Sequence, residues 1–491
     1  MEAKLEIFNE YLDYSRLDSK EYQKEGVKWC LSKELSRSPL QDVRGGIIAD
    51  EMGLGKTITM IGMMMANFMP KTLIVLPVAL LDQWWTTIER TTGHKAVIYH
   101  GASTKKKYTK EELESKPVVL TTYGSIVLDA KNNDKLSKIT WNRIIFDEAH
   151  HLRNKNTKLF LSALRLNAKH KWMVTGTPIQ NSLGDLYALC SILGIPLEFY
   201  VNMENMKKIV EELVMKRSKI DVDIRLPQLH ERKETVTWSS REEQLLAEQL
   251  HENLSFSKLR EFRMRNESSG SSQTTIPDKY RLAVYNYAKQ FCIYPYLVKN
   301  KLPFMRMMNI IDIDNVDVTA SNGRKLNKLI QDIESRIGNG NRKLVFCDYQ
   351  EESYKIQEML SDKGITDSQI IEGRTTTRQR KEILRESPEV LIMQIQTGNE
   401  GLNLQQYNEL YFVSPGWNPC VEDQAVARSH RLGQTKPVYV YRYIMNGFDD
   451  ESFTQNIEHY CESVQREKRE LYKVFDREEE DEEHGESIAS S

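Results

Sequence analysis

The stretch GGIIADEMGLGKT, Gly45 to Thr57, decides the architecture. Its first half is a short run of β-branched and small residues that reads as a strand, and its second half is a glycine-rich loop closing on Gly55-Lys56-Thr57. In a phosphate-binding loop, glycines let backbone N–H groups close around a β-phosphate. The lysine neutralises charge at the β- and γ-phosphates, and the Thr hydroxyl ligates Mg²⁺. Asp50 stands where the strict GxxxxGK[ST] pattern asks for glycine, so the motif has to be judged by its surroundings.

Those surroundings alternate strand and helix. KTLIVLP, PVVLTTY, WNRIIFDE and KWMVTG follow as short apolar runs, with the amphipathic VALLDQWWTTIERT among them. From Lys325 onward, RKLVFCDY, SQIIEG, VLIMQI, NELYFV and PVYVYRYI repeat the architecture without repeating the sequence, and YKIQEMLSDKG and RQRKEILRE read as crossover helices. Apolar strands separated by helices predict parallel sheets covered on both faces. Between the two sets lies REEQLLAEQLHENLSFSKLREFRMR, rich in helix formers. The polar NESSGSSQTT, Asn266 to Thr275, has nothing to bury and is expected to be a flexible loop. A last amphipathic helix is expected from Glu451 to Phe475. The expected domains are residues 17–196, 197–320 and 321–475, with an acidic tail over 476–491.

A chain of 491 residues is too long for one ordinary core, and 40% hydrophobic with 28% charged residues reads as soluble and globular. No apolar run approaches the roughly 20 residues that span a bilayer, and MEAKLEIFNEYLDYSRLD lacks the basic-then-apolar form of a secretory leader. An intracellular protein with no membrane partner is expected. The six cysteines form no CxxC pair, which argues against a zinc module and offers no disulfide framework. Net charge is −2, but REEEDEEHGE, Arg477 to Glu486, carries one base and seven acids, and without it the remainder stands near +4. A basic groove for nucleic acid must therefore be local.

Three further stretches carry chemistry. WNRIIFDEAHH closes an apolar strand on Asp147 and Glu148, and the C-terminal end of a strand is where such sheets bind ligands. Asp147 is expected to hold Mg²⁺ and Glu148 to orient or deprotonate the attacking water; an acidic helix cap would use the same residue types. Gln23, in SKEYQKEGVKWCL, can offer donor and acceptor to an adenine edge, or simply to solvent. QAVARSHRLGQTKP, Gln424 to Pro437, sets Arg428 and Arg431 three residues apart. On a helix that spacing would place both guanidinium groups on one face, toward a single anion or toward water.

In this order, DEMGLGKT, FDEAHHLRN, VTGTPIQN, GLNLQQYN and QAVARSHRLGQTKP resemble the motifs of the SWI/SNF-type ATPases of helicase superfamily two. The resemblance runs from about Leu17 to the helix after Phe448, and DEMGLGKT is the form this family uses at the phosphate loop. It implies an α/β fold of two tandem RecA-like parallel-sheet lobes with helical protrusions between them, ATP and Mg²⁺ as cofactors, and movement along double-stranded DNA. By the same resemblance, Asp50, Glu51, Met52, Gly53, Leu54, Gly55, Lys56 and Thr57 form the nucleotide loop and Gln23 reads adenine. Thr175, Gly176 and Thr177 couple hydrolysis to lobe movement. Gly401 and Asn403 face the nucleotide from the second lobe, and Gln424, Arg428 and Arg431 form the last motif, its arginines directed across the cleft at the γ-phosphate.

DNA contacts are expected mainly at phosphates, from backbone amides and hydroxyls at strand ends such as Thr121 and Thr122. Trp417, in PGWNP, matches a family tryptophan near the minor groove, or anchors its own loop. Asn399, Glu400, Ala427 and His151 depart from the family's commoner residues, which bears on subfamily and DNA stimulation. The implied function is a DNA-dependent ATPase, a minimal motor of the compact kind found in large DNA viruses and some protists. It would remodel nucleosomes or displace bound protein such as RNA polymerase, as a monomer, in the nucleus or another DNA-containing compartment, a viral factory included. A viral-type transcription termination or release ATPase, a strand-separating helicase and an ATP-silent DNA-binding scaffold are the alternatives. The intact Lys56, Thr57, Asp147 and Glu148 speak against the last.

Overall fold

The computed structural model describes residues 1–36, 43–101, 107–132, 135–180, 182–252, 254, 278–312, 323–398, 402–448 and 454–472. The chain forms two compact units, Met1–Arg225 with Lys468–Ser491, and Leu226–Glu467. The expected loop at Asn266 to Thr275 and the acidic tail lie outside the described residues.

The first unit is built on seven strands: β1 (Gly45–Ile48), β2 (Thr72–Leu76), β3 (Val97–Tyr99), β4 (Val118–Thr122), β5 (Thr140–Asp147), β6 (Asn167–Val174) and β7 (Val214–Met215). They lie in the order β3-β4-β2-β5-β6-β1-β7, and every pairing is parallel. Alternate side chains feed two cores. Ile47, Leu73, Val75, Ile144 and Phe146 enter one, and Ile48, Ile74, Leu76 and Ile145 enter the other. This two-sided burial is why the strands read as continuous apolar runs.

Helices α1 (Glu2–Ser15), α2 (Glu21–Leu35), α3 (Lys56–Ala66) and α4 (Leu81–Thr92) cover the second of these cores. The first compact unit includes α1, which buries Phe8, Tyr11 and Leu12. Gly62 makes room for it, since a Cβ there would run into the Phe8 ring. Behind the sheet, Arg143 grips Glu34 through Nε and Nη2, each bond 2.6 Å, with both side chains fully buried. Trp172 Nε1 and Asn67 Nδ2 also donate to that carboxylate.

The second unit carries β8 (Leu229–Val236), β9 (Arg342–Cys347), β10 (Ser368–Ile371), β11 (Val390–Gln394), β12 (Tyr407–Phe412) and β13 (Val438–Met445). Their order is β10-β11-β9-β12-β13-β8, again all parallel. Two tandem parallel-sheet lobes are thus present, as expected. The stretch over 197–320 contributes an edge strand to each sheet, β7 to the first and β8 to the second, and the unit boundary falls within it. Its helix Asp278–Ile293 places Val284, Tyr285, Ala288 and Phe291 in the core of the second unit. The closing helix spans Ile457–Tyr472.

Candidate nucleotide site

β1 delivers the chain into the glycine loop. Gly53 (φ 97°) and Gly55 (φ 77°) occupy the left-handed region, where a side chain would be strained. Gly55 caps α3, whose opening N–H groups lack intrahelical partners and carry the positive end of the helix dipole. Leu54 is buried and anchors the loop. Lys56 curls back, its Nζ donating to the Asp50 carbonyl at 2.7 Å and the Glu51 carbonyl at 3.4 Å. Gln23, buried on α2, donates through Nε2 to the Leu54 carbonyl at 3.4 Å. A Cβ at Gly55 would stand 2.5 Å from that same nitrogen. A Cβ at Gly176 would stand 3.3 Å from Met52 Cγ and 3.4 Å from Lys56 Nζ. The loop, Gln23 and the Thr175-Gly176 turn therefore converge, with a glycine at each close approach.

The acid pair reaches the same edge by strand register. Asp147 pairs with Val174, and Val174 pairs with Ile48, so the ends of β5, β6 and β1 lie in one row. Two strand spacings, about 10 Å, separate Asp147 from the start of the loop. Asp147 is buried: Trp84 Nε1 donates to Oδ2 at 2.6 Å, and the Glu148 N–H donates to Oδ1 at 3.0 Å. Burial, and then the Glu148 carboxylate, push its pKa up to about 7, against the Trp84 bond and the Lys56 charge.

Glu148 is held at φ 50°, ψ 50°, a left-handed conformation that costs a non-glycine residue about 1–3 kcal/mol. His150 Nδ1 lies 3.2 Å from Thr175 Oγ1 and 3.4 Å from Glu148 Oε2. Burial lowers its pKa to about 4, so near neutrality it links the two motifs as an uncharged ring. Thr177 Oγ1 accepts from Gln180 Nε2 at 3.0 Å, and Gln180 in turn accepts from Arg153.

Other residues singled out by sequence are engaged differently. The side chains of Asp50 and Glu51 form ion pairs with Arg217 and Lys219, so only their backbone faces the rest of the loop. The hydroxyls of Thr121 and Thr122 are buried: the first donates to the Tyr99 carbonyl and the second to Ser125 Oγ. Trp417 is partly buried, edge-on to Tyr460 at 6.2 Å between centroids.

In the second unit, only the first of the two arginines is helical. The helix Pro419–Ser429 carries Gln424 and Arg428 but ends before Arg431. The chain turns there because His430 caps the helix and Gly433 takes φ 99°. The Leu404 N–H donates to the Arg428 carbonyl at 3.2 Å, and Gln434 Nε2 donates to the Gln405 carbonyl at 2.9 Å. These bonds zip the 402–406 loop to the arginine segment. Burial pulls the Arg431 pKa down, and its buried Nε meets no acceptor. Gly401 lies outside the described residues.

Among the described residues, no group of three or more His, Cys, Asp or Glu is placed to hold a metal by itself. Nucleotide-bound Mg²⁺ takes one or two protein oxygens and completes its shell with phosphates and water. The Asp147 carboxylate has lone pairs beyond its two bonds, and with the Thr57 hydroxyl it fits that mode. Sequence reasoning missed Trp84, His150, Gln180 and Arg217. Only the two of these that lie inside quoted motifs, His150 and Gln180, carried any local signal.

Comparison with known proteins agrees with these motifs. The SNF2-related domain description matches residues 22–297, and the helicase conserved C-terminal domain description matches 324–433. The "Probable global transactivator" of Orgyia pseudotsugata multicapsid polyhedrosis virus is 27% identical, over 93% of this chain and 91% of its own length. Chromodomain-helicase-DNA-binding protein 6 of Mus musculus is also 27% identical, over 92% of this chain but 17% of its own length. The solved Sulfolobus solfataricus SWI2/SNF2 ATPase core in complex with dsDNA is 21% identical, covering 93% of this chain and 97% of its own, with a TM-score of 0.39. Since the first description alone takes in more than half of the residues, the chain belongs to the SNF2-related family, a superfamily-two helicase-type ATPase core followed by a helicase conserved C-terminal domain.

Proposed function

We propose that the chain hydrolyses ATP in a DNA-dependent manner and translocates on double-stranded DNA, displacing or remodelling the protein bound there. The observation that carries this is the convergence of Lys56, Gly176 and Gln23 on one glycine loop, with Asp147 in the adjacent strand row. Lys56 leaves the Asp50 carbonyl for the β- and γ-phosphates, and the α3 N–H groups hold the β-phosphate. Thr57 and Asp147 would hold the Mg²⁺ that screens the phosphate charge. Glu148 orients and deprotonates the attacking water. Arg428 and Arg431 supply positive charge to the transferred phosphoryl group. Gly176 sits against Lys56 and Thr175 against His150, a direct mechanical path from the phosphates to the turn after β6.

The test is steady-state ATP hydrolysis with no polynucleotide, single-stranded DNA, duplex DNA, RNA and nucleosomes, with Glu148→Gln as the blank. Strong stimulation by duplex DNA is expected. Stimulation by single strands or RNA alone would replace translocation with unwinding or RNA-linked work, and absence of turnover everywhere would favour a scaffold.

A second, narrower reading is transcription-linked displacement of polymerase of the viral kind. The 27% identity to a viral protein named a probable global transactivator, a transcription-linked description, favours it. Release of a stalled RNA polymerase from a duplex template, set against nucleosome sliding, separates the two.

A further inference from the structure

The edge strand β7 does not stop at the sheet. Beyond the paired Ile47 and Ile48, the Ala49 N–H donates to the Met215 carbonyl at 2.7 Å and the Glu51 N–H to the Arg217 carbonyl at 2.8 Å. The segment after β7 thus runs alongside the first half of the phosphate loop. Its side chains bind there too. Arg217 forms a fork on Asp50, Nη2 to Oδ2 at 2.5 Å and Nε to Oδ1 at 3.1 Å. Lys219 holds Glu51 through both its N–H, at 2.8 Å, and its Nζ, at 2.5 Å.

Arg217 reaches a third element. Its Nη1 donates to the Tyr22 carbonyl, and its guanidinium lies 5.7 Å from the centre of the Tyr22 ring. Gly26 on α2 leaves space for it, because a Cβ there would stand 3.0 Å from Nη2. Tyr22 precedes Gln23, and Asp50 opens the loop that ends at Gly55. One planar guanidinium therefore sets the separation between the Gln23 amide and the phosphate loop. Lysine, with a single charged point and no fork, cannot hold both ends at once. A buried ion pair is weak evidence of stability alone, since its desolvation offsets much of its attraction.

We propose that Arg217 is a positioning residue that holds Gln23 in register with the phosphate loop, so that nucleotide base selectivity depends on it while triphosphate binding does not. The proposal rests on the ATP-site reading above. It enlarges the base-reading apparatus by a residue 167 positions from Asp50 in sequence. A site that reads a base by hydrogen bonds loses discrimination when its reader is displaced, because the reader's polar atoms no longer meet their partners.

The experiment is competition against a fluorescent ATP analogue, with no DNA and no turnover, using ATP, GTP and inorganic tripolyphosphate. The proteins are wild type, Arg217→Lys, Asp50→Asn, Gln23→Ala and the Gln23→Ala/Arg217→Lys double variant, each checked by thermal melting. We expect Arg217→Lys to weaken ATP about tenfold and to leave GTP and tripolyphosphate within about twofold. The double variant should show no further loss of ATP-over-GTP preference than either single change, as for residues acting in series. Equal weakening of all three ligands, or fully additive losses of preference, would overturn the proposal. Asp50→Asn, which keeps the shape and removes the charge, should reproduce the narrowed preference; if both Arg217→Lys and Asp50→Asn retain wild-type preference, the proposal fails. A wild-type protein that binds none of the three would instead overturn the ATP-site reading.

Discussion

Trp84 Nε1 donates a 2.6 Å hydrogen bond to Asp147 Oδ2, both groups buried, and the two residues are 63 positions apart in sequence. The bond fixes the rotamer of the carboxylate assigned to Mg²⁺. Trp84→Phe keeps most of the ring volume and leaves that oxygen without its donor, a loss of about 1–3 kcal/mol. Half-saturation by Mg²⁺ in ATP hydrolysis should rise about tenfold. An unchanged Mg²⁺ titration would remove Trp84 from the site.

Lys56→Ala deletes the side-chain cation that folds over the Asp50 and Glu51 carbonyls. Turnover should disappear while the melting temperature holds, because Lys56 is half-exposed and its Nζ bonds to the Asp50 and Glu51 carbonyls cap no buried charge. Residual turnover near wild type would withdraw the phosphate-loop assignment.

Arg431→Ala should lower kcat at least ~10³-fold with little change in ATP affinity, as for other arginines that act on the transition state. Its guanidinium sits past the end of the helix Pro419–Ser429, so helix propensity is not at stake. Single-turnover hydrolysis with a separate nucleotide-binding measurement distinguishes this from a binding role.

Arg143→Ala strands Glu34 in the interior and should destabilise the first unit by about 3–5 kcal/mol in denaturant unfolding. Burial alone would raise the Glu34 pKa, but Arg143, Trp172 and His170 together hold it below its usual value. A depressed carboxylate stabilises the fold above its unfolded pKa, about 4.3, and that contribution vanishes as pH falls through the lower folded value. The stability difference between wild type and Glu34→Gln should therefore shrink below about pH 4.

Much of this was legible along the chain. Ten of the strands are short apolar runs that the reading placed to within a few residues, because burial on both faces leaves no polar alternation to confuse them. The strands β3, β7 and β8 escaped: β3 and β7 are three and two residues long, and β8, LHERKETV, is an exposed charged edge strand. The helix α1 escaped for a related reason, since its docking depends on the gap at Gly62 and not on any strong apolar stripe of its own.

What the sequence by itself determined is the pair of parallel sheets and the family motifs that nominate a phosphate loop, an acid pair and an arginine segment, since each is written in residues adjacent in the chain. Which groups orient them was decided only by the tertiary structure. Asp50 meets Arg217 across 167 residues and Asp147 meets Trp84 across 63, contacts that exist because parallel strands bring distant chain ends to one edge. Such pairs obey no local period, and only strand order and register make them neighbours.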